Sequence, residues 1–226
     1  MTQYENEVKK RDVMCCMNAG NQGCGRKWSR MRIITDTGTD ILDKEAKKLG
    51  IELVAIRSNF TDTVFSENTE AEFTRFYDKL RQTDTLPVSS QPSPAEFLEL
   101  FEDAKEKQEE VVVITISSKL SGTYNGAMLA KDMAEYDNIY VVDSLLASLS
   151  ERLLVEYAVK LRDAGMGAKE LVRKLEQDRE RVILTGVPST LLYLKMGGRI
   201  SPVVAAVGGV IGIKPVLWLK DGVIES

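Results

Sequence analysis

Four short polar segments carry most of the side chains in this chain that could act on a ligand. They are Thr35-Asp36-Thr37-Gly38-Thr39-Asp40, Val88-Ser89-Ser90-Gln91-Pro92-Ser93, Ser117-Ser118-Lys119-Leu120-Ser121-Gly122-Thr123-Tyr124 and Asp143-Ser144. The chain has no histidine, which excludes Ser-His, Cys-His and histidine-metal chemistry within it. Hydroxyls, carboxylates, lysines and arginines must do the work. In the third segment, Gly122 lets the backbone approach a ligand at a helix start. Ser121 and Thr123 then present hydroxyls and amides at the positive end of the helix dipole, which suits an anion. Ser121 serving only as a helix cap accounts for the same residues equally well. Ser93-Pro94-Ala95-Glu96 is a capping box with proline at the first helical position. Ser93 therefore belongs to its helix, while Ser89 and Ser90 have no such local duty.

The remaining candidates are plainer. Asp36 and Asp143 stand at strand ends, where carboxylates more often brace loops than act as bases or metal ligands. No paired-carboxylate or metal spacing accompanies them. Arg199 follows Gly197-Gly198 and can reach an anion with a bidentate guanidinium, although on sequence grounds alone a surface arginine is the favoured reading. That glycine pair is too short for a phosphate loop, and the Gly-x-Gly-x-x-Gly fingerprint is absent. Lys214 before Pro215 reads as structural. Cys15, Cys16 and Cys24 match no common zinc spacing, and an odd count argues against a disulfide framework.

The elements that must position these residues alternate between strand and helix. Residues 31–35, 52–56, 111–116 and 139–142 read as strands, with a weaker one over 60–65. Helices are expected around 44–49, 70–82, 94–107, 123–135 and 147–164, with Gly50 ending the first at its C′ position. The apolar strands look buried on both faces, as parallel strands are. This order predicts an α/β fold with an open parallel sheet flanked by helices, spanning 31–165. Ligands in such sheets bind beyond the carboxyl ends of the strands, where three of the four segments lie. A second α/β domain, 166–226, is expected to hold a helix over 168–179, a strand over 182–187, a short helix over 190–196 and a closing hairpin. It reads as cut short at Ser226. Residues 1–30 are polar, aperiodic and expected to be a disordered leader.

Composition narrows the function. A net charge of −4 without a basic cluster argues against nucleic acid as a main partner. The most apolar run, 203–213, is diluted by glycines and too short to span a bilayer. With no signal-peptide pattern, a cytoplasmic location is expected.

Taken in order, Ile34-Thr35-Asp36-Thr37, Ser89-Ser90-Gln91-Pro92-Ser93, Ser117-Ser118-x-Leu120-Ser121-Gly122-Thr123-Tyr124, Asp143-Ser144, Gly197-Gly198-Arg199-Ile200 and Ile213-Lys214-Pro215 form a recognisable set. From Met31 onward the sequence resembles the DegV family, bacterial fatty-acid-binding proteins that serve fatty acid kinase. The resemblance implies a two-domain α/β protein with an acyl tunnel between the domains. It implies a carboxylate held by the hydroxyls of Ser89 and Ser121, with Arg199 joining in some members. Gly122, Thr123 and Asp36 complete the expected ligand-binding set. No cofactor or metal is implied beyond the long-chain fatty acid itself. The chain would be no enzyme but the acyl-carrying partner of a separate ATP-dependent kinase that makes an acyl phosphate for phospholipid synthesis.

The sequence departs from the family pattern in three places. Ser89 replaces the usual threonine, losing a methyl that restricts its rotamer. Ser150 and Arg152 stand where two glycines are usual. Family members also continue beyond the hairpin, and in some that part supplies a histidine near the head group. The rival reading is a small-molecule hydrolase or phosphotransferase using a serine hydroxyl. A hydrolase would need a Ser-Lys pair, for which Lys119 beside Ser121 is the candidate. A phosphotransferase would need a phosphate cradle or metal cluster, which the sequence lacks.

Overall fold

A computed structural model describes residues 31–83, 85–200 and 215–226. The expected leader with its three cysteines, the apolar run 203–213 and Lys214 lie outside the described residues. The first half of the chain contains β1 (Met31–Asp36), α1 (Asp43–Leu49), β2 (Glu52–Val54), β3 (Arg57–Asn59), β4 (Val64–Phe65), α2 (Glu70–Gln82), β5 (Val88–Ser90) and α3 (Pro94–Glu106). Next come β6 (Glu110–Thr115), α4 (Thr123–Ala134), β7 (Ile139–Asp143), α5 (Leu149–Asp163) and α6 (Ala168–Asp178). The last described elements are β8 (Leu184–Gly186), α7 (Leu192–Met196), β9 (Leu217–Lys220) and β10 (Val223–Glu225).

Strands β2-β1-β6-β7 form a parallel sheet in that order. Alternate side chains leave it in opposite directions and each set finds a helical cover. Ile33, Val112, Ile114 and Val142 pack against Leu154, Val155 and Ala158 of α5 and Leu171 and Leu175 of α6. Ile34, Val111, Val113 and Ile139 meet Phe97 and Phe101 of α3 and Ala127 and Ala130 of α4. Cover on both faces is why β6 carries a continuous apolar run over 111–114. The open parallel sheet flanked by helices is therefore as expected.

Two smaller antiparallel sheets complete the described structure, ordered β4-β3-β5 and β10-β9-β8. The first departs from the sequence reading. The sequence pattern places no strand over 88–93, but Val88–Ser90 pairs with β3, Ser58 opposite Ser89. All three residues of β5 are exposed, so burial imposed no alternation that a pattern could reveal. Of the weak strand expected over 60–65 only Val64–Phe65 forms, residues 60–63 being the connection of the β3–β4 hairpin, with Phe60 and Phe65 packed edge-on against Phe76 of α2. The hairpin expected near the end is present as β9 and β10, but β8 spans three residues rather than the six expected. At the hairpin turn Gly222 has φ +83°, and a Cβ there would fall 2.5 Å from Ser117 Oγ. Glycine thus permits both the turn and the 2.7 Å bond that Ser117 Oγ donates to the Gly222 carbonyl.

Candidate ligand-binding site

Beyond the carboxyl ends of β1 and β6, a cavity of about 1090 Å³ opens between the parallel sheet, the β4-β3-β5 sheet and the last described elements. Phe76 and Leu80 from α2, Leu86, and Leu194 and Met196 from α7 supply an apolar wall. Its polar lining comes from Ser89 and Ser90 of β5, Gln91 after it, and Ser121, Gly122 and Arg199. Ligand pockets commonly occupy roughly 300–1,000 Å³, so this cavity lies just above that range and suits an extended ligand.

Local chemistry explains how the hydroxyls are held. β5 is pinned by its ladder to β3. On its far side Glu96 accepts from both the backbone N–H and the hydroxyl of Ser93, each at 2.9 Å. Arg57 of β3 grips the same carboxylate at 2.7 and 3.1 Å, and its guanidinium holds the Glu96 carboxyl down at about 2. Ser93 is spent on this capping arrangement, as its sequence context predicted, and Ser89 is left exposed in the cavity lining. At the start of α4, Ser121 Oγ and Thr123 Oγ1 are 2.8 Å apart and share a hydrogen bond. Thr123 is buried and stands behind Ser121 rather than lining the cavity.

Asp36 takes a different place from the other candidates. It is fully buried beneath the cavity floor, and its two carboxylate oxygens accept N–H bonds from Gly38 and Ile116, each at 2.8 Å. Ile116 itself lines the cavity, so Asp36 shapes the floor through the backbone. Burial outweighs those two bonds and pushes its carboxyl up to about 6. Asp143 braces a loop, accepting from the Ser118 and Leu145 amides at 3.1 Å. Arg199 is exposed and lines the cavity, with Nε donating to the Leu120 carbonyl at 3.2 Å and a terminal nitrogen donating to that of Gly197. Part of its guanidinium is therefore committed to the backbone. The structure brings Ser89, Ser121, Gly122 and Arg199 to one cavity, and leaves Thr123 and Asp36 as supports behind it.

Sequence reasoning missed Glu151. It is wholly buried, and neither carboxyl oxygen has a hydrogen-bond partner of good geometry. Burial, then the nearby charges of Asp36 and Asp40, hold its carboxyl well above the usual carboxylate range, against a weaker opposing influence from the Thr35 hydroxyl. Its spacing could have exposed it, because Glu151 shares a helical stripe with Leu154, Val155 and Ala158. The two positions where glycines are usual also find local solutions. Ser150 donates to the Ala147 carbonyl at 2.7 Å, and Arg152 forks onto Glu45 at 2.9 and 3.1 Å. The Ser121 hydroxyl pairs with Thr123 rather than Lys119, which removes support from a Ser-Lys nucleophile. Among the described residues no group of three His, Cys, Asp or Glu could hold a metal ion, and no helix is long and apolar enough to cross a membrane.

Comparison with known proteins agrees with this architecture. A family model described as "Uncharacterised protein, DegV family" matches residues 30–226. A DegV domain-containing protein of Caldanaerobacter subterraneus subsp. tengcongensis is 33% identical over 193 residues, covering 85% of this chain and 69% of its own. A solved structure reporting fatty acid binding by a DegV family protein from Thermus thermophilus is 32% identical with a TM-score of 0.76, covering 87% of this chain and 70% of that one. The Streptococcus pneumoniae fatty acid kinase B3 protein, solved loaded with linoleic acid, is 28% identical with a TM-score of 0.73, covering 86% and 70%. Nearly the whole described chain thus shares sequence and fold with one group of proteins, and the chain belongs to the DegV family.

Proposed function

We propose that this chain binds a long-chain fatty acid in the cavity and presents its carboxylate to a separate kinase for conversion to an acyl phosphate. The observation that carries the reading is the junction of an apolar wall with the Ser89 and Ser121 hydroxyls in one cavity of about 1090 Å³. Each methylene moved from water to an apolar wall gains about 0.8 kcal/mol. A chain of about 15 methylenes would therefore gain on the order of 12 kcal/mol before ordering costs are subtracted. Affinity then resides in the wall, while Ser89, Ser121 and Arg199 orient the head. Hydroxyl and amide donors suffice for a carboxylate that must stay open to a partner's active site. The acyl chain would lie between the parallel-sheet domain and the carboxyl-terminal domain, whose residues Leu194 and Met196 supply part of the wall.

The fatty-acid-bound DegV structures support this ligand class, and the pneumococcal relative's name supports a kinase partner. On this reading, a partner that uses ATP would have the protein act in the cytoplasm. The test is to extract the purified protein with organic solvent and identify bound lipid by mass spectrometry. Long-chain fatty acid, co-purified or taken up as added oleate, is the expected result. A folded, lipid-free protein that takes up neither oleate nor palmitate overturns the proposal.

A further inference from the structure

Gln91 occupies an unusual position at the polar side of the cavity. Its backbone is held before and after it. Ser89 and Ser90 pair with Ser58 and Arg57 on β3, Pro92 is buried, and Ser93 is locked to Glu96. Proline also restricts the residue before it to extended conformations. The side chain leaves this fixed backbone and lies across the first turn of α4. A Cβ added to Gly122 would fall 1.9 Å from Oε1, 2.8 Å from Cδ and 3.1 Å from Nε2 of Gln91, and one added to Gly126 would be 3.7 Å from Nε2. The whole carboxamide rests on a glycine face.

That carboxamide makes no hydrogen bond among the described residues, although it borders the cavity beside Ser89 and Ser121. A primary amide has two N–H donors and one carbonyl acceptor, and a half-turn of its last torsion exchanges their positions. At the α4 N-terminus beneath it the Thr123 amide reaches Ser121 Oγ only at a long 3.4 Å, so the helix end contributes favourable potential for an anion at the same place. A surface glutamine serving only solubility would not require glycine under its amide.

We propose that Gln91 is a head-group contact. Its Nε2 donates to the carboxylate of the bound acid, between the Ser89 and Ser121 hydroxyls, and Gly122 is glycine so that the carboxamide can lie there. This inference rests on the fatty-acid-binding reading and adds a selection for ionised acids over neutral lipids of the same chain. An N–H bond to a charged acceptor is among the stronger ones, and losing it costs about tenfold or more in affinity.

The experiment compares oleate with oleyl alcohol, which keeps the chain and removes the charge. Both are titrated into the wild-type protein and into Gln91→Met, Gln91→Glu, Gly122→Ala and the Gln91→Met/Gly122→Ala pair. Methionine keeps the length of the side chain without its donors. Oleate affinity should fall about tenfold in Gln91→Met and further in Gln91→Glu, where two carboxylates would face each other, while oleyl alcohol stays within about twofold. Gly122→Ala pushes the carboxamide aside and should match Gln91→Met, and the pair should be no worse than either alone, since both act through one contact. Equal losses for acid and alcohol, unchanged oleate affinity in Gln91→Met, or additive losses in the pair would each overturn the inference. Wild-type protein that binds neither lipid would instead overturn the fatty-acid reading, and this contact with it.

Discussion

Replacing Asp36 by asparagine should reverse its effect on stability between acid and neutral pH. In the fold, burial raises this carboxyl from 3.8 to about 6 despite the bonds from Gly38 and Ile116. Between those two values the folded protein holds a proton that the unfolded chain has released. The contribution to stability is therefore complete below 3.8, falls as pH rises, and is lost above about 6. A separation of about two pH units at 1.36 kcal/mol each makes that loss about 3 kcal/mol. Asparagine is neutral throughout and has no such slope. Its NH₂ group, however, must face one of the two backbone N–H donors, a pH-independent cost of about 1–2 kcal/mol. Asp36→Asn is thus expected to be about 1–2 kcal/mol less stable than wild type at pH 4 and about 1–2 kcal/mol more stable at pH 8. The assay is urea denaturation of both proteins at pH 4, 5, 6, 7 and 8, taking ΔG from midpoint and slope. A difference that stays constant within about 1 kcal/mol across this range, or that moves against the variant as pH rises, would refute the account of a buried, costly charge.

Other expectations concern the cavity and its supports. The Ser89→Ala/Ser121→Ala pair should reduce kinase-dependent acyl phosphate formation more than oleate binding, because the wall carries affinity; unchanged acyl phosphate formation contradicts the head-group assignment. Met196→Trp narrows the cavity and should weaken oleate about tenfold while affecting decanoate less, as titration of both acids would show. Glu96→Gln should cost about 1 kcal/mol at pH 7, the pair being partly exposed. Arg57 holds the Glu96 carboxyl at about 2 against an ordinary 4.5, so this contribution is present above 4.5 and lost as pH falls toward 2. A denaturation difference that persists unchanged at pH 2 would contradict it.

The parallel sheet was legible because it is covered on both faces, so that β6 carries the unbroken apolar run 111–114 and β7 the run 139–142. Helix α2 was legible to both ends, Glu70–Gln82, since an amphipathic stripe begins directly after Thr69, whose hydroxyl accepts from the Glu72 amide at 3.1 Å. β5 was not, because three exposed residues opposite Arg57-Ser58-Asn59 bury nothing and set no period. Ser89 could be nominated as a hydroxyl without a local duty, and Ser121 and Gly122 as a hydroxyl and a glycine at a helix start. Their meeting in one cavity depends on a crossover between sheets that no local pattern encodes. Asp36 and Glu151 show the converse limit. Asp36 at a strand end looks ordinary in sequence, whereas Glu151 betrays itself only by sharing the apolar stripe of α5, and burial is what makes both costly.

The central claim is that this cavity receives an acyl chain with its carboxylate at the β5 and α4 hydroxyls. A crystal structure of the protein with oleate tests it most directly. The account predicts the chain along Phe76, Leu80, Leu194 and Met196, with carboxylate oxygens about 2.5–3.0 Å from the Ser89 and Ser121 hydroxyls. Oleate bound elsewhere, or reversed with its carboxylate against the apolar wall, would contradict it.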